Sequence, residues 1–295
     1  MGRKDIDYKS EVAYPRRTVL DLTLQHGFEL SLEDLLFQVT PMKPRYYSIA
    51  SSHLKHPNEI RLVYRRVQVR TTSYAPKSLT KSRYFSLSHH LFTKQYVTKL
   101  GMLREGICTN YLSHKGFVDT GKYANIAAYV NTNPTFRLPK SNETPLMFIA
   151  GGCGVAPIRG LLEARVALAQ NGKLGPASLY LGFRSPDDEV YRERIEHAIK
   201  VGALTDAKIT FSAGTREGNN ALVSDIILKN GEKVWKHFEE GGVIFLCGGA
   251  RSFGAAIESA FLNIIQEHGK LDFIGAEQYL RTMIKEGRLM DDLAD

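Results

Sequence analysis

The 295-residue chain has no uninterrupted apolar stretch long enough to span a membrane. Its opening residues, Met1-Gly2-Arg3-Lys4-Asp5-Ile6-Asp7, carry acids where a secretory signal needs an apolar core. These absences predict a soluble, cytoplasmic chain, on the cytosolic face of a membrane if a longer parent polypeptide carries an anchor. Cysteine is scarce: Cys108, Cys153 and Cys247 are widely spaced and form no C-x-x-C pair. That pattern argues against a disulfide framework and a structural zinc site, and Cys108 and Cys153 read as small buried residues. The nine histidines show no metal-ligand spacing. Apolar residues are not scarce. At 43% of the chain they exclude a disordered or collagen-like polypeptide and suffice for one large domain or two modest ones.

Positive charge is present in excess but unevenly. Residues 1–120 hold 19 Lys and Arg against 10 Asp and Glu, whereas the remainder holds 20 against 21, so the net charge of +8 belongs to the front part. Residues 54–100 carry ten cations, among them Arg65, Arg66 and Lys81, and one acid, Glu59. Such a stretch suits either an acidic partner or a solvated loop. A nucleic-acid role is disfavoured, because no recognised binding motif accompanies the charge.

Hydrophobic periodicity divides the chain near residue 140. Residues 17–40 read as helical, with Ser31 and Asp34 as a capping box opening a second helix. Short strands are predicted over Tyr46–Ala50 and Glu59–Tyr64, a basic inserted loop over 71–100, and a helix start after Gly106. Beyond a Pro-containing linker, Asn131–Thr144, apolar runs alternate with helices. Strands fall at Leu146–Ala150, Ser178–Gly182, Lys208–Ser212 and Val243–Cys247, and helices at Ala156–Gln170, around Tyr191–Lys200, at Val223–Phe238, and near 253–267 and 275–287. Alternation of this kind implies crossover connections and a parallel sheet with helices on both faces. The expected domains are 1–140 and 141–295.

Two segments suggest chemistry. In Leu146-Met147-Phe148-Ile149-Ala150-Gly151-Gly152-Cys153-Gly154-Val155-Ala156-Pro157, a buried strand runs into glycines and a helix start, which is the construction of a phosphate cradle and also of a plain tight turn. In Arg45-Tyr46-Tyr47-Ser48-Ile49-Ala50-Ser51-Ser52, an arginine suits a pyrophosphate, a tyrosine a flat ring and a serine a ring nitrogen. An ordinary edge strand would read the same way.

The second segment resembles the R-x-Y-S-x-x-S motif of the ferredoxin-NADP reductase superfamily, in the form found in diflavin reductases. Four further signatures follow in that family's order. Gly106-Ile107-Cys108-Thr109-Asn110-Tyr111-Leu112 is similar to G-x-x-T-x-x-L, and Gly152 to Gly160 to G-T-G-x-A-P-x-R-G. Tyr180 to Arg184 with Tyr191-Arg192-Glu193 resembles the G-x-R strand end and Y-R-E helix, and Cys247-Gly248-Gly249-Ala250 the C-G-D-A turn.

The resemblance implies an α/β fold: an antiparallel FAD-binding β-barrel, here incomplete, followed by a doubly wound nicotinamide-nucleotide domain. It implies the cofactors FAD and NADPH, with NADH as the alternative donor. Arg45 would bind the flavin pyrophosphate, Tyr47 would stack on the isoalloxazine, and Ser48 would hydrogen-bond near its hydride-accepting nitrogen. Gly106, Ile107, Cys108 and Thr109 would hold FAD phosphates. Gly152, Cys153 and Gly154, with Gly248, would cradle the nicotinamide nucleotide, and Arg184 would meet its phosphate. Cys247 would sit beside the nicotinamide, with Asp292 orienting Ser48 and Cys247. The implied partner is an FMN or flavodoxin-like domain, or a cytochrome.

The sequence departs from the family where an S-R pair usually holds the 2'-phosphate. Ser212 is followed by Ala213, leaving Arg216 as a substitute cation and the preference for NADPH over NADH open. Ala294 replaces the terminal aromatic, Gly249 the acid of C-G-D-A, and Val69 the adenine-stacking ring. Only 44 residues precede Arg45, so the first barrel strands are expected to be missing. The chain is then a fragment of a longer polypeptide or a reduced relative. The alternative to a working oxidoreductase is a truncated or degenerate nucleotide-binding module without flavin turnover.

Overall fold

A computed structural model describes residues 8, 12, 17–27, 29–38, 41–70, 97–98, 101–116, 126–213 and 220–294. The chain forms two compact units, Met1–Tyr46 with Arg65–Ile126, and Tyr47–Tyr64 with Ala127–Asp295.

In the first unit, helix α1 (Val19–His26) opens at Thr18. The Thr18 hydroxyl accepts from the Asp21 N–H, and the Asp21 carboxylate accepts from the Thr18 N–H in return. Gly27 closes the helix at φ +68°. Helix α2 (Leu32–Gln38) starts from the expected Ser31–Asp34 box, in which Asp34 N–H donates to Ser31 Oγ at 3.0 Å. Strands β1 (Gln68–Arg70), β2 (Val97–Thr98) and β3 (Gly101–Glu105) form an antiparallel sheet in the order β1-β3-β2. Helix α3 (Ile107–Gly116) follows Gly106 as expected. Of the basic insertion, all but Val97 and Thr98 lies outside the described residues, as does Lys81.

The second unit carries a five-stranded parallel sheet in the order β6-β5-β4-β7-β8, built from β4 (Leu146–Gly151), β5 (Ala177–Phe183), β6 (Asp206–Phe211), β7 (Val243–Gly249) and β8 (Leu289–Ala294). Because side chains alternate across a strand, β4 feeds two separate cores. Leu146, Phe148 and Ala150 face helices α4 (Val155–Ala169) and α5 (Arg192–Lys200). Met147 and Ile149 face α6 (Val223–Lys229), α7 (Gly231–Glu239), α8 (Ala255–Gly269) and α9 (Phe273–Lys285). Both faces are covered, which is why the strands read as continuous apolar runs. The chain leaves β4 toward β5 and later returns to pair β7 on its other side, so the carboxyl ends of β4 and β7 border the topological switch point.

Two expectations need correction. The single helix predicted over Val223–Phe238 is two, because Asn230 leaves helical geometry at φ −106°, ψ 27° and its side chain donates to the Ile226 carbonyl at 2.6 Å. Gly231 is required next, since a Cβ there would lie 2.7 Å from His268 Nε2. The strands predicted at Tyr46–Ala50 and Glu59–Tyr64 reduce to one antiparallel bridge, Ile49 to Leu62, with Ala50 N–H donating to the Arg61 carbonyl at 2.8 Å. Strand β8, parallel to β7, has no counterpart in the sequence reading. Among the described residues no helix is long and apolar enough to cross a membrane.

Candidate functional site

At the switch point, β4 ends in Gly151 and a tight turn, Gly152–Gly154, delivers the chain into α4. Gly152 sits at φ +56°, open to a residue without Cβ. At Gly154 a Cβ would lie 2.4 Å from the Cys247 carbonyl oxygen, so only glycine lets α4 start against the end of β7. No side chain caps the first turn of α4, which leaves its N–H groups and positive dipole end for an anionic ligand. Phe253, passed over in the sequence, lies across this crevice: Cβ atoms at Gly151 and Gly248 would come within 2.9 and 2.7 Å of its ring. The signal for it was an aromatic close behind a double-glycine strand end. Cys153 is exposed rather than buried, because the turn holds it on its outer side.

Strand β8 brings Asp292 level with Cys247 in the β7–β8 register. The Ser48 hydroxyl donates to Asp292 Oδ2 at 2.6 Å across 244 residues of chain. Cys247 is fully buried at the end of β7, and burial, followed by the charges of Asp292 and Asp291, pushes its thiol well above the ordinary range. It is therefore a protonated thiol at neutral pH, able to donate but not to attack. Ser48, Asp292 and Cys247 thus form one constellation within the second unit.

Tyr47, half-buried, meets Tyr64 edge-on at 5.8 Å between ring centroids. At the far edge of the same sheet, Arg184 and Ser212 are exposed just beyond β5 and β6, held together by Ala213 N–H donating to the Arg184 carbonyl at 2.7 Å. Arg216 lies outside the described residues. A Cβ at Gly249 would meet nothing within 4 Å.

In the first unit, Arg45 is exposed, with one guanidinium nitrogen donating to the Lys43 carbonyl at 2.8 Å. Gly106 packs so closely that a Cβ would sit 2.7 Å from Val67 Cβ. The Thr109 hydroxyl is turned inward, accepting from Val67 N–H at 3.1 Å and lying 3.4 Å from the Gly106 carbonyl. Gly106 N–H is likewise used, on the Val67 carbonyl at 2.8 Å. What this turn offers a phosphate is therefore the first N–H groups of α3, with Ile107 exposed and Cys108 half-buried beside them.

Two families of known proteins match the chain. Residues 7–81 fit the family described as FAD binding domain, and residues 148–258 the family described as Oxidoreductase NAD-binding domain. The chain therefore carries an FAD-binding and a nicotinamide-nucleotide-binding family in that order. It is 31% identical over 88% of its length to an NADPH--cytochrome P450 reductase of Bos taurus, and 30% identical over 97% to the one of Homo sapiens. A Sulfite reductase [NADPH] flavoprotein alpha-component of Pectobacterium atrosepticum is 28% identical over 94%. The matched region is 35%, 38% and 40% of those three proteins, so the chain spans under half the length of these relatives. The residues present fit both cofactors of the superfamily. The uncapped α4 turn and glycine crevice suit a dinucleotide, and Tyr47 beside Ser48 suits a flat ring with a hydrogen-bonding edge.

Proposed function

We propose that the chain is an NADPH-dependent flavin reductase that delivers electrons to an FMN or flavodoxin-like domain or to a haemoprotein, the acceptor class named by its relatives. A bound flavin would supply a two-electron acceptor for hydride that can also exchange single electrons. The observation that carries this reading is the Ser48–Asp292 hydrogen bond of 2.6 Å, set beside a protonated Cys247 buried at the end of β7. Ser48 would present its hydroxyl to the hydride-accepting edge, with Asp292 fixing its orientation. Cys247 would stand behind the nicotinamide site and help keep water out. Gly152, Cys153, Gly154 and Gly248 would receive the dinucleotide, with Arg184 and Ser212 on its adenosine phosphate and Arg216 as substitute cation. Ser212 followed by Ala213 offers a 2'-phosphate fewer charged donors than an S-R pair would, which leaves NADH as a competing donor. On the flavin side Arg45 would meet the pyrophosphate and Tyr47 the ring, with the backbone N–H groups of Ile107, Cys108 and Thr109 lining the phosphates and Gly106 letting the turn pack close enough to present them. Arg65, Arg66 and Lys81 would steer an acidic partner, and reversing their charges should lower the acceptor reduction rate and its salt dependence.

A spectrum of the purified chain tests the proposal. It predicts bound flavin absorbing in the blue, bleached anaerobically by NADPH. A protein that stays colourless after incubation with FAD overturns it. The competing reading, a nucleotide-binding module without flavin turnover, draws support from the inward-facing Thr109 hydroxyl and from Ala294, which offers no ring to cover a flavin.

A further inference from the structure

Two residues of the quoted motifs have no role in the reading above: Arg159 of the glycine-turn motif and Tyr191 of Y-R-E. In the second unit they meet around a buried carboxylate. Glu163, 7% exposed, accepts from Arg159 at 2.8 Å, from Arg194 at 3.0 Å and from the backbone N–H of Ser52 at 3.2 Å. Arg159, 6% exposed, also donates to the Ala50 carbonyl and lies 5.0 Å over the Tyr191 ring. Tyr191 is held at φ +71°, a conformation that a bulky residue keeps only where its surroundings impose it. Next to Arg159 on α4, Gly160 brings the helix so close that a Cβ would lie 3.2 Å from the Ile49 carbonyl and 3.3 Å from that of Ser51.

Residues 49–52 are therefore fastened to α4 through both a carbonyl and an amide. Their own ladder is a single bridge, supported by Ala50 N–H on the Arg61 carbonyl and by Arg61 N–H on Ser51 Oγ, so the contacts to the helix add to a short pairing. Ser48 immediately precedes them, and its hydroxyl must reach Asp292 at the end of β8.

We infer that Arg159 and Glu163 are positioning residues: a buried clamp on α4 that sets the backbone at Ala50 and Ser52 and thereby the position of the Ser48 hydroxyl. The same helix begins at the Gly152–Gly154 turn, so the clamp makes the nucleotide cradle and Ser48 parts of one rigid body. The catalytic consequence rests on the proposed function, whereas the clamp itself does not.

Hydrogen–deuterium exchange on the full-length chain reads the clamp without any turnover. In Glu163→Ala the peptide covering residues 47–56 should exchange at least tenfold faster than in the parent, while Glu163→Gln, which keeps an acceptor for Ser52 N–H, should restore protection. Unchanged protection in Glu163→Ala overturns the clamp. Should that variant fail to fold, Arg159→Lys keeps the charge but loses the two-pronged reach, and the same peptide must again lose protection. Rapid-mixing reduction of the FAD-loaded chain then reads the consequence. Hydride transfer should slow by about 100-fold in Glu163→Ala, with NADP+ affinity within about threefold and partial rescue by Glu163→Gln. Loosened residues 47–56 with undiminished hydride transfer overturn the positioning role. A parent chain that binds flavin but never reduces it, with the exchange results as expected, overturns the oxidoreductase reading and leaves the clamp standing.

Discussion

The sheet of the second unit is buried on both faces, whereas the sheet of the first has three strands of five residues or fewer. Apolar side chains follow the same contrast. Phe148 and Phe245 stack at 5.3 Å between the two halves of one core, while Phe37 and Leu32 on α2 are 88% and 72% exposed. A parallel sheet must be covered by its own crossover helices, so each strand brings its cover with it. Antiparallel strands joined locally carry no such obligation, and among the described residues of the first unit an Arg104–Asp21 ion pair links β3 to α1. The second unit therefore encodes its own cover, and the Ser48–Asp292–Cys247 constellation sits in it.

The largest effect expected from this contrast is in the core. Phe148→Ala should destabilise the second unit by about 3–5 kcal/mol, measured by urea unfolding, whereas Phe37→Ser on α2 should change stability by no more than about 0.5 kcal/mol. Equal effects would break the comparison.

Next comes His237, whose burial, opposed by its contact to the Val243 carbonyl and reinforced by Arg288 and Lys233, lowers its pKa from 6.5 to about 4. The unfolded chain binds the proton first as pH falls. The stability of the second unit is then full above about pH 6.5, and about 3 kcal/mol of it is lost by about pH 4. Thermal melts across that range should steepen in the parent chain and flatten in His237→Gln.

At the site, Ser48→Ala should slow flavin reduction by about 100-fold with nucleotide affinity nearly unchanged, since its hydroxyl acts where charge moves. Stopped-flow reduction against NADP+ titration separates the two, and parallel losses would mean that Ser48 serves binding alone.

The smallest effects compare the two glycine turns. Gly154→Ala, whose Cβ meets the fixed Cys247 backbone, should cost about 1–3 kcal/mol and weaken nucleotide binding. Gly106→Ala meets Val67 Cβ at 2.7 Å and Thr109 Oγ1 at 2.9 Å beside a three-residue strand, a looser setting than the end of β7, and should cost less, about 1 kcal/mol. Calorimetry of both variants sharpens the contrast, and a larger loss at Gly106 reverses it.

Much of the second unit was legible because its signals are local. Glycines after an apolar run, a proline in the first helical turn and unbroken β-branched or aromatic runs each mark an element without knowledge of its neighbours. The antiparallel pairing was harder to read: residues 46–64 carry strand-like alternation yet make a single bridge, because alternation records which side is apolar and not whether a partner strand is near. The break at Asn230 escaped notice since Asn tolerates a helix until its side chain bonds back to the Ile226 carbonyl. Cys153 was misjudged because a small apolar residue type carries no information about which way a tight turn points it.

The sequence by itself determined the order of the five motifs, the alternation that forces a parallel sheet, and the placing of positive charge in the front part of the chain. That Asp292 meets Ser48 was implied by the family resemblance, not by residue spacing, and the tertiary structure makes the contact. Their partnership depends on β8 adding to the edge of β7, and a strand that pairs in space leaves no mark on the spacing of residues 244 apart. Tertiary structure alone decided that the Thr109 hydroxyl turns inward and that Glu163 gathers Arg159, Arg194 and Ser52. Those outcomes depend on which polar groups burial leaves in want of a partner, which is settled only when the helices are packed.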